Sequence, residues 1–129
     1  MKKDISTRQD IELLVNTFYD KVRINPVLGP IFNDVAKVDW DTHLPRMYTF
    51  WAAQLLGEGG FTGNPMQKHV KLSTLTRLSE VEFTEWLSLF FETTDELFEG
   101  KKALIAKTIA SNIAHLMLHK IQTHEQIRF

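Results

Sequence analysis

The sequence predicts an all-α protein. Apolar residues recur at intervals of three and four along four long segments, no segment alternates as a strand does, and prolines and glycines cluster between those segments. At 129 residues, one domain spanning the whole chain is expected, since a single hydrophobic core organises ~100–200 residues.

The first helix is expected after Ser6, whose hydroxyl and Gln9 three residues later suit a capping box; Ile11, Leu14, Val15, Phe18 and Val22 then form its stripe. "NPVLGPIF" ends it, with two prolines and Gly29 forcing a tight turn that delivers Phe32 from a loop. A second helix covers "HLPRMYTFWAAQLL", with Leu44, Met47, Tyr48, Trp51 and Leu55 in register, Asp41 or Thr42 as cap and Gly57 as the stop. Pro45 must lie in its first turn or kink it. After the loop "GEGGFTGN", Asn64 and Pro65 suit the N-cap and first residue of a short helix that carries His69. Ser79 and Glu82 make a second capping box before a long helix with Phe83, Trp86, Leu87, Phe90, Thr94 and Leu97 on one face, ended by Gly100. The last helix runs from about Lys101 to about Thr123, with Ile105, Ile109, Ile113 and Leu116 expected on its buried side.

Composition excludes several functions. Fifteen Lys and Arg against sixteen Asp and Glu leave a formal charge of -1 and no basic block dense enough to neutralise a run of phosphates, so nucleic acid is not an expected partner. No apolar run approaches the ~18–20 residues that span a bilayer, and "MKKDISTRQD" has no hydrophobic stretch behind its lysines, so a cytoplasmic protein without a membrane partner is expected. The absence of cysteine removes disulfides, thiolate metal sites, a cysteine nucleophile and a thiolate haem ligand. No phosphate-binding glycine loop or nucleophile elbow is present. Nine Phe, three Trp and two Tyr offer flat apolar surface of the kind that suits a large planar guest.

Of five histidines, His115 and His119 share a helix face but lack a third ligand and the intervening glutamate of zinc hydrolases, so they read as part of a solvated helix. Tyr19, Phe32, His43, His69 and Trp86 each have an ordinary structural explanation when taken singly. Their order is more informative. "FYDKV", "GPIF", "HLPRMYTFW", "MQKHVKL" and "EWLSLFF", in that succession, resemble the truncated haemoglobins, most closely their third group, over residues 5 to 120. The glycine pairs of most truncated haemoglobins are not in their usual places, "GEGG" being a partial echo, and that departure is itself expected of the third group.

The resemblance implies a bacterial 2/2 globin: a two-over-two helical sandwich around a haem, with a short proximal helix. It makes His69 the proximal ligand of the haem iron, Phe32 the aromatic wedged against the porphyrin, and Tyr19, His43 and Trp86 the distal residues around the sixth position. It makes Met47, Phe50 and Trp51 the lining of the apolar pocket. Met66 and Leu72, three residues either side of His69, suit contact with the macrocycle, while Arg46, Lys68 or Lys71 could reach a propionate. The cofactor implied is haem b.

Chemistry supports those residue types independently. A neutral imidazole is a good iron ligand, and its other N–H usually binds a carbonyl or carboxylate that fixes the ring. A diatomic ligand that gains negative charge on binding is held by donors, and Tyr19 and Trp86 are donors. Each well-aimed hydrogen bond to a charged acceptor is worth ~1.5–3 kcal/mol, or roughly ten- to a hundredfold in ligand release. Two such donors imply tenacious oxygen binding, which suits nitric oxide or peroxide chemistry better than oxygen transport. His43 at the pocket mouth could gate entry or exchange protons, its ordinary pKa lying near neutrality. The expected function is binding of oxygen, nitric oxide and carbon monoxide by a monomer. The alternatives are a nitric oxide dioxygenase or peroxidase-like enzyme served by a reductase, and a haem-free helical interaction module.

Overall fold

Three of the four described helices begin where a side-chain oxygen takes up backbone N–H groups that a first turn leaves without partners. The structure, a computed structural model, describes residues 2–35, 37–58 and 79–127, with residues 35 and 122–127 described in backbone only. The helices are α1 (Arg8–Ile24), α2 (Trp40–Leu56), α3 (Glu80–Leu97) and α4 (Lys101–Ile127), and a single π-helical turn occupies Ile31–Val35 between the first two. No strand occurs among the described residues. The expected short helix around Asn64, Pro65 and His69 lies outside them.

The cap of α1 is Thr7, not Ser6. Its hydroxyl accepts from the Asp10 N–H while the Asp10 carboxylate reaches back to the Thr7 N–H, so the capping box closes one residue later than Ser6 and Gln9 predict. Asp10 wins because it gathers more donors: it also accepts from the Ser6 N–H at 2.9 Å and from the Lys3 ammonium at 2.6 Å. Although burial opposes ionisation, these bonds hold its carboxyl well below the usual carboxylate range.

The cap of α2 is likewise earlier than expected. Asp39, rather than Asp41 or Thr42, accepts from the Asp41 N–H at 3.1 Å, so Trp40 becomes the first helical residue and His43 lies a full turn inside the helix. Pro45, the sixth residue, is therefore beyond the first turn. Gly57 ends α2 in the left-handed region at φ 71°, where a Cβ would be strained. Ser79 caps α3 by position, but its hydroxyl donates to the Glu82 carboxylate at 2.9 Å and makes no bond to a backbone N–H.

The start of α4 is capped from the far end of the chain. Asp4 accepts from the N–H groups of Lys102 and Ala103, each at 2.9 Å, and Lys3 O accepts from the Glu99 N–H at 3.0 Å. Gly100 is required here: its φ is 140°, and a Cβ would stand 2.6 Å from the Asp4 carboxyl carbon.

Pairs α1–α2 and α3–α4 form two layers joined chiefly through α1 against α3, the two-over-two arrangement. The α1 stripe Ile11, Leu14, Val15, Phe18 and Val22 is wholly buried, as its spacing predicts. The stripe of α4 is only partly the expected one: Ile109 packs against the core and Ile113 is half-buried. Ile105 and Leu116 are exposed, while Ala103, Ala106, Ala110, Ala114, Met117 and Ile121 face inward at intervals of three and four. Alanine lets helix axes approach closely, so volume matching against the large rings of α3 outweighs the hydrophobicity of the isoleucines. Thr93 and Thr94 are fully buried in α3, and each hydroxyl is satisfied by the carbonyl one turn back, Leu89 O at 2.7 Å and Phe90 O at 2.8 Å.

Candidate functional site

The turn after α1 sets the floor of the site. Asn25 ends the helix and its side-chain oxygen accepts from the N–H groups of Val27 and Leu28, which bends the chain back over the last turn of α1. Gly29 packs so close that a Cβ would lie 2.6 Å from Arg23 O, so only glycine fits. This approach allows Pro30 and the π turn to carry Phe32 inward, where its ring lies 6.2 Å from Tyr19.

Tyr19 is the centre of the arrangement. It lies one residue beyond the α1 stripe, is 6 % exposed, and is ringed by Phe18, Phe32, Trp40 and His43. Its ring meets the His43 imidazole edge-on at 5.2 Å. Burial pushes its phenol well above the ordinary tyrosine value, opposed in part by the neighbouring Trp86 indole N–H. Indole can only donate, so toward Trp86 the phenol oxygen can act only as acceptor. Its own proton stays in place at any working pH and is left to be donated onward.

Trp86 arrives from α3, stacked on Phe90 at 5.9 Å with the ring planes 15° apart, and meets Phe18 edge-on. Phe90 stacks in turn on Trp51 at 5.0 Å. Trp51 is thus buried in the core stack, whereas Met47 and Phe50 are only half-covered. Arg46 is half-buried on α2.

The structure therefore brings together Tyr19, Phe32, His43 and Trp86, which the sequence spaces over 67 positions. His69, Met66, Leu72 and Lys68, together with Lys71, lie outside the described residues. His115 and His119 are exposed on α4, with the Ser111 hydroxyl 3.5 Å from His115 Nδ1.

Sequence reasoning missed Trp40 and Arg23. Trp40 stacks on Phe32 at 6.0 Å, touches Tyr19 and His43, and carries the Arg23 guanidinium 4.3 Å above its ring. The signal was available in retrospect: Arg23 is four residues after Tyr19 and Trp40 three before His43, helical neighbours once Asp39 is known to be the cap.

The residues present fit a flat apolar guest. All fully buried side chains of α2 lie in its second half, Trp51, Ala52 and Leu55. Leu44, Met47 and Phe50 pack against the core but keep part of their apolar surface uncovered, and the Tyr19–His43–Trp86 group stands beside them. Partly uncovered apolar surface together with a cluster of polar side chains is the usual character of a cofactor site.

No family model matches the chain. It is 36 % identical over 132 residues to a group 3 truncated haemoglobin from Campylobacter jejuni, covering 96 % of this chain and 100 % of that protein. Its fold superposes on the crystal structure of a group III truncated haemoglobin from Campylobacter jejuni with a TM-score of 0.81 and 32 % identity, over 94 % of this chain and 95 % of the other.

Proposed function

The chain belongs to the group 3 truncated haemoglobins, and from that premise we propose that it holds a haem b through His69 and binds oxygen, nitric oxide and carbon monoxide beside Tyr19, His43 and Trp86. The haem supplies an iron with one open position for a diatomic gas. The reading rests on one observation above all: a buried tyrosine, ringed by aromatics, whose ring abuts His43 and whose phenol is influenced by the Trp86 indole N–H. A hydroxyl that accepts one hydrogen bond donates a stronger one, so the Trp86-to-Tyr19 pair is a polarised donor. Phe32, Met47, Phe50 and Trp51 supply the apolar surround, together with Met66 and Leu72, and Arg46 or Lys68 meets the propionates. His43, a turn inside α2, closes or opens the approach.

The polarised donor formed by Trp86 and Tyr19 favours a second reading, in which the bound gas is consumed in nitric oxide or peroxide turnover with electrons from a reductase, and not carried in bulk. We propose a cytoplasmic monomer. No described helix is long and apolar enough to cross a membrane.

The absorption spectrum of the reduced protein, with and without carbon monoxide, tests the binding reading. A Soret band that shifts on adding the gas is expected. A protein purified without haem, and unable to take it up, overturns the reading in favour of a helical interaction module. A His69→Ala variant with an unchanged ferrous spectrum refutes the proximal assignment alone.

A further inference from the structure

Trp40 is held from several directions, by Arg23 and Asn33 from outside the gas-binding group and by Phe32 from within the site. Arg23 Cζ lies 4.3 Å from the indole centroid, Phe32 stacks on it with planes 20° apart, and the indole N–H donates to Asn33 Oδ1 at 3.3 Å. Asn33 in turn donates from its amide nitrogen to Arg23 O at 3.1 Å. These contacts close a ring of interactions linking the last turn of α1, the π turn and the first residue of α2. Arg23 forms no ion pair among the described residues, and its buried Nε has no hydrogen-bond partner among them. A guanidinium in that setting is stabilised chiefly by the aromatic face beneath it, and the attraction strengthens as water is removed.

The free edges of the same indole face the gas-binding group. The Trp40 ring meets His43 at 5.6 Å, almost perpendicular, and Tyr19 at 5.5 Å. Trp40 and His43 are three apart on α2, so they share a face and the indole occupies one side of the imidazole's swing. We infer that Trp40, clamped by Arg23, is a positioning residue that confines His43 beside Tyr19 and so sets the barrier to ligand entry. This inference rests on the distal roles proposed above for Tyr19 and His43. It adds a restraint that comes from a cation over an aromatic face and joins the last turn of α1 to the first residue of α2.

The test uses the full haem-loaded chain and two readouts: bimolecular carbon monoxide rebinding after flash photolysis, and the infrared stretching band of the bound gas. Substitutions are Trp40→Leu, Trp40→Phe and Arg23→Met, each with and without His43→Ala, with helicity checked by circular dichroism. Loss of one such contact shifts a two-position side chain by roughly three- to tenfold. Trp40→Leu and Arg23→Met should therefore change rebinding by about that factor and split or move the infrared band, while Trp40→Phe preserves most of the parent behaviour. In the His43→Ala background the same changes should have no further effect. Unchanged rebinding and an unchanged band in a folded Arg23→Met protein overturn the inference, and Arg23→Met serves if Trp40→Leu does not fold. An equal effect in the His43→Ala background also overturns it, because Trp40 would then act on pocket volume directly. A parent chain that takes up no haem overturns the distal reading and this inference with it; the other failures strike this inference alone.

Discussion

Tyr19 and Trp86 come from different layers of the sandwich, and the indole N–H opposes the upward push that burial gives the Tyr19 phenol. The tyrosine proton is thereby directed away from Trp86, and burial prevents its ionisation. In consequence, the two side chains act as one donor unit with its outlet at Tyr19.

Removing either member should speed oxygen release. Tyr19→Phe deletes the outlet and Trp86→Phe the polarising bond, so each should raise the off-rate, Tyr19→Phe by roughly ten- to a hundredfold and Trp86→Phe by less. The double variant should fall short of the product of the two. Stopped-flow displacement by carbon monoxide measures this, and a fast release unaffected by either substitution would sink tenacious binding and revive transport.

Acid should loosen the N-terminal arm and its tie to the start of α4 before the core. Asp10 and Asp4 both have carboxyls lowered in the folded state, against the effect of burial, by N–H donors and by Lys3 and Lys102 respectively. A lowered folded value means that the stabilisation is complete above the unfolded value near ~4 and drains away as pH falls through the folded one. Asp10→Asn should cost ~2 kcal/mol at neutral pH and flatten the acid limb of the stability profile, as read by urea titrations between pH 3 and 7.

Gly29→Ala should damage both stability and cofactor uptake. The added methyl would lie 2.6 Å from Arg23 O, a backbone atom that cannot swing aside, so a loss of ~2 kcal/mol or more is expected. Phe32 follows three residues later, so haem affinity should fall in the same variant. A thermal melt and a haem-transfer assay separate the two effects, and full affinity in a destabilised protein would disconnect the turn from the site.

Phe90→Ala should be the most damaging of these changes. The ring lies between Trp51 and Trp86 in a continuous stack and is 1 % exposed, so its loss should cost ~3–5 kcal/mol. Denaturant unfolding gives the number, and a loss below ~1 kcal/mol would mean that the stack collapses to fill the space.

Local signals in the sequence determined more of this protein than any single motif suggests. Periodicity located the four described helices and identified the buried stripe of α1, because a 3.6-residue repeat needs only near neighbours to be read. Proline and glycine marked the breaks at Asn25 and Gly57 for equally local reasons. The ordered series of motifs around Tyr19, Phe32, His43, His69 and Trp86 pointed to the family that the comparisons then showed.

Competition between nearby alternatives was decided only in three dimensions. Ser6, Asp41 and Thr42 are acceptable caps in isolation. Thr7 prevails because Asp10 collects donors from the arm before it, and Asp39 starts α2 early enough to bring Trp40 into the ring cluster. Isoleucine is more hydrophobic than alanine, yet α4 buries its alanines because the rings opposite already fill the space between the layers. The Arg23–Trp40 clamp joins residues on two helices, beside a turn whose close approach to Arg23 only a glycine at position 29 allows. A contact of that kind depends on the packing of whole elements, whereas composition and spacing report only what each residue could do alone.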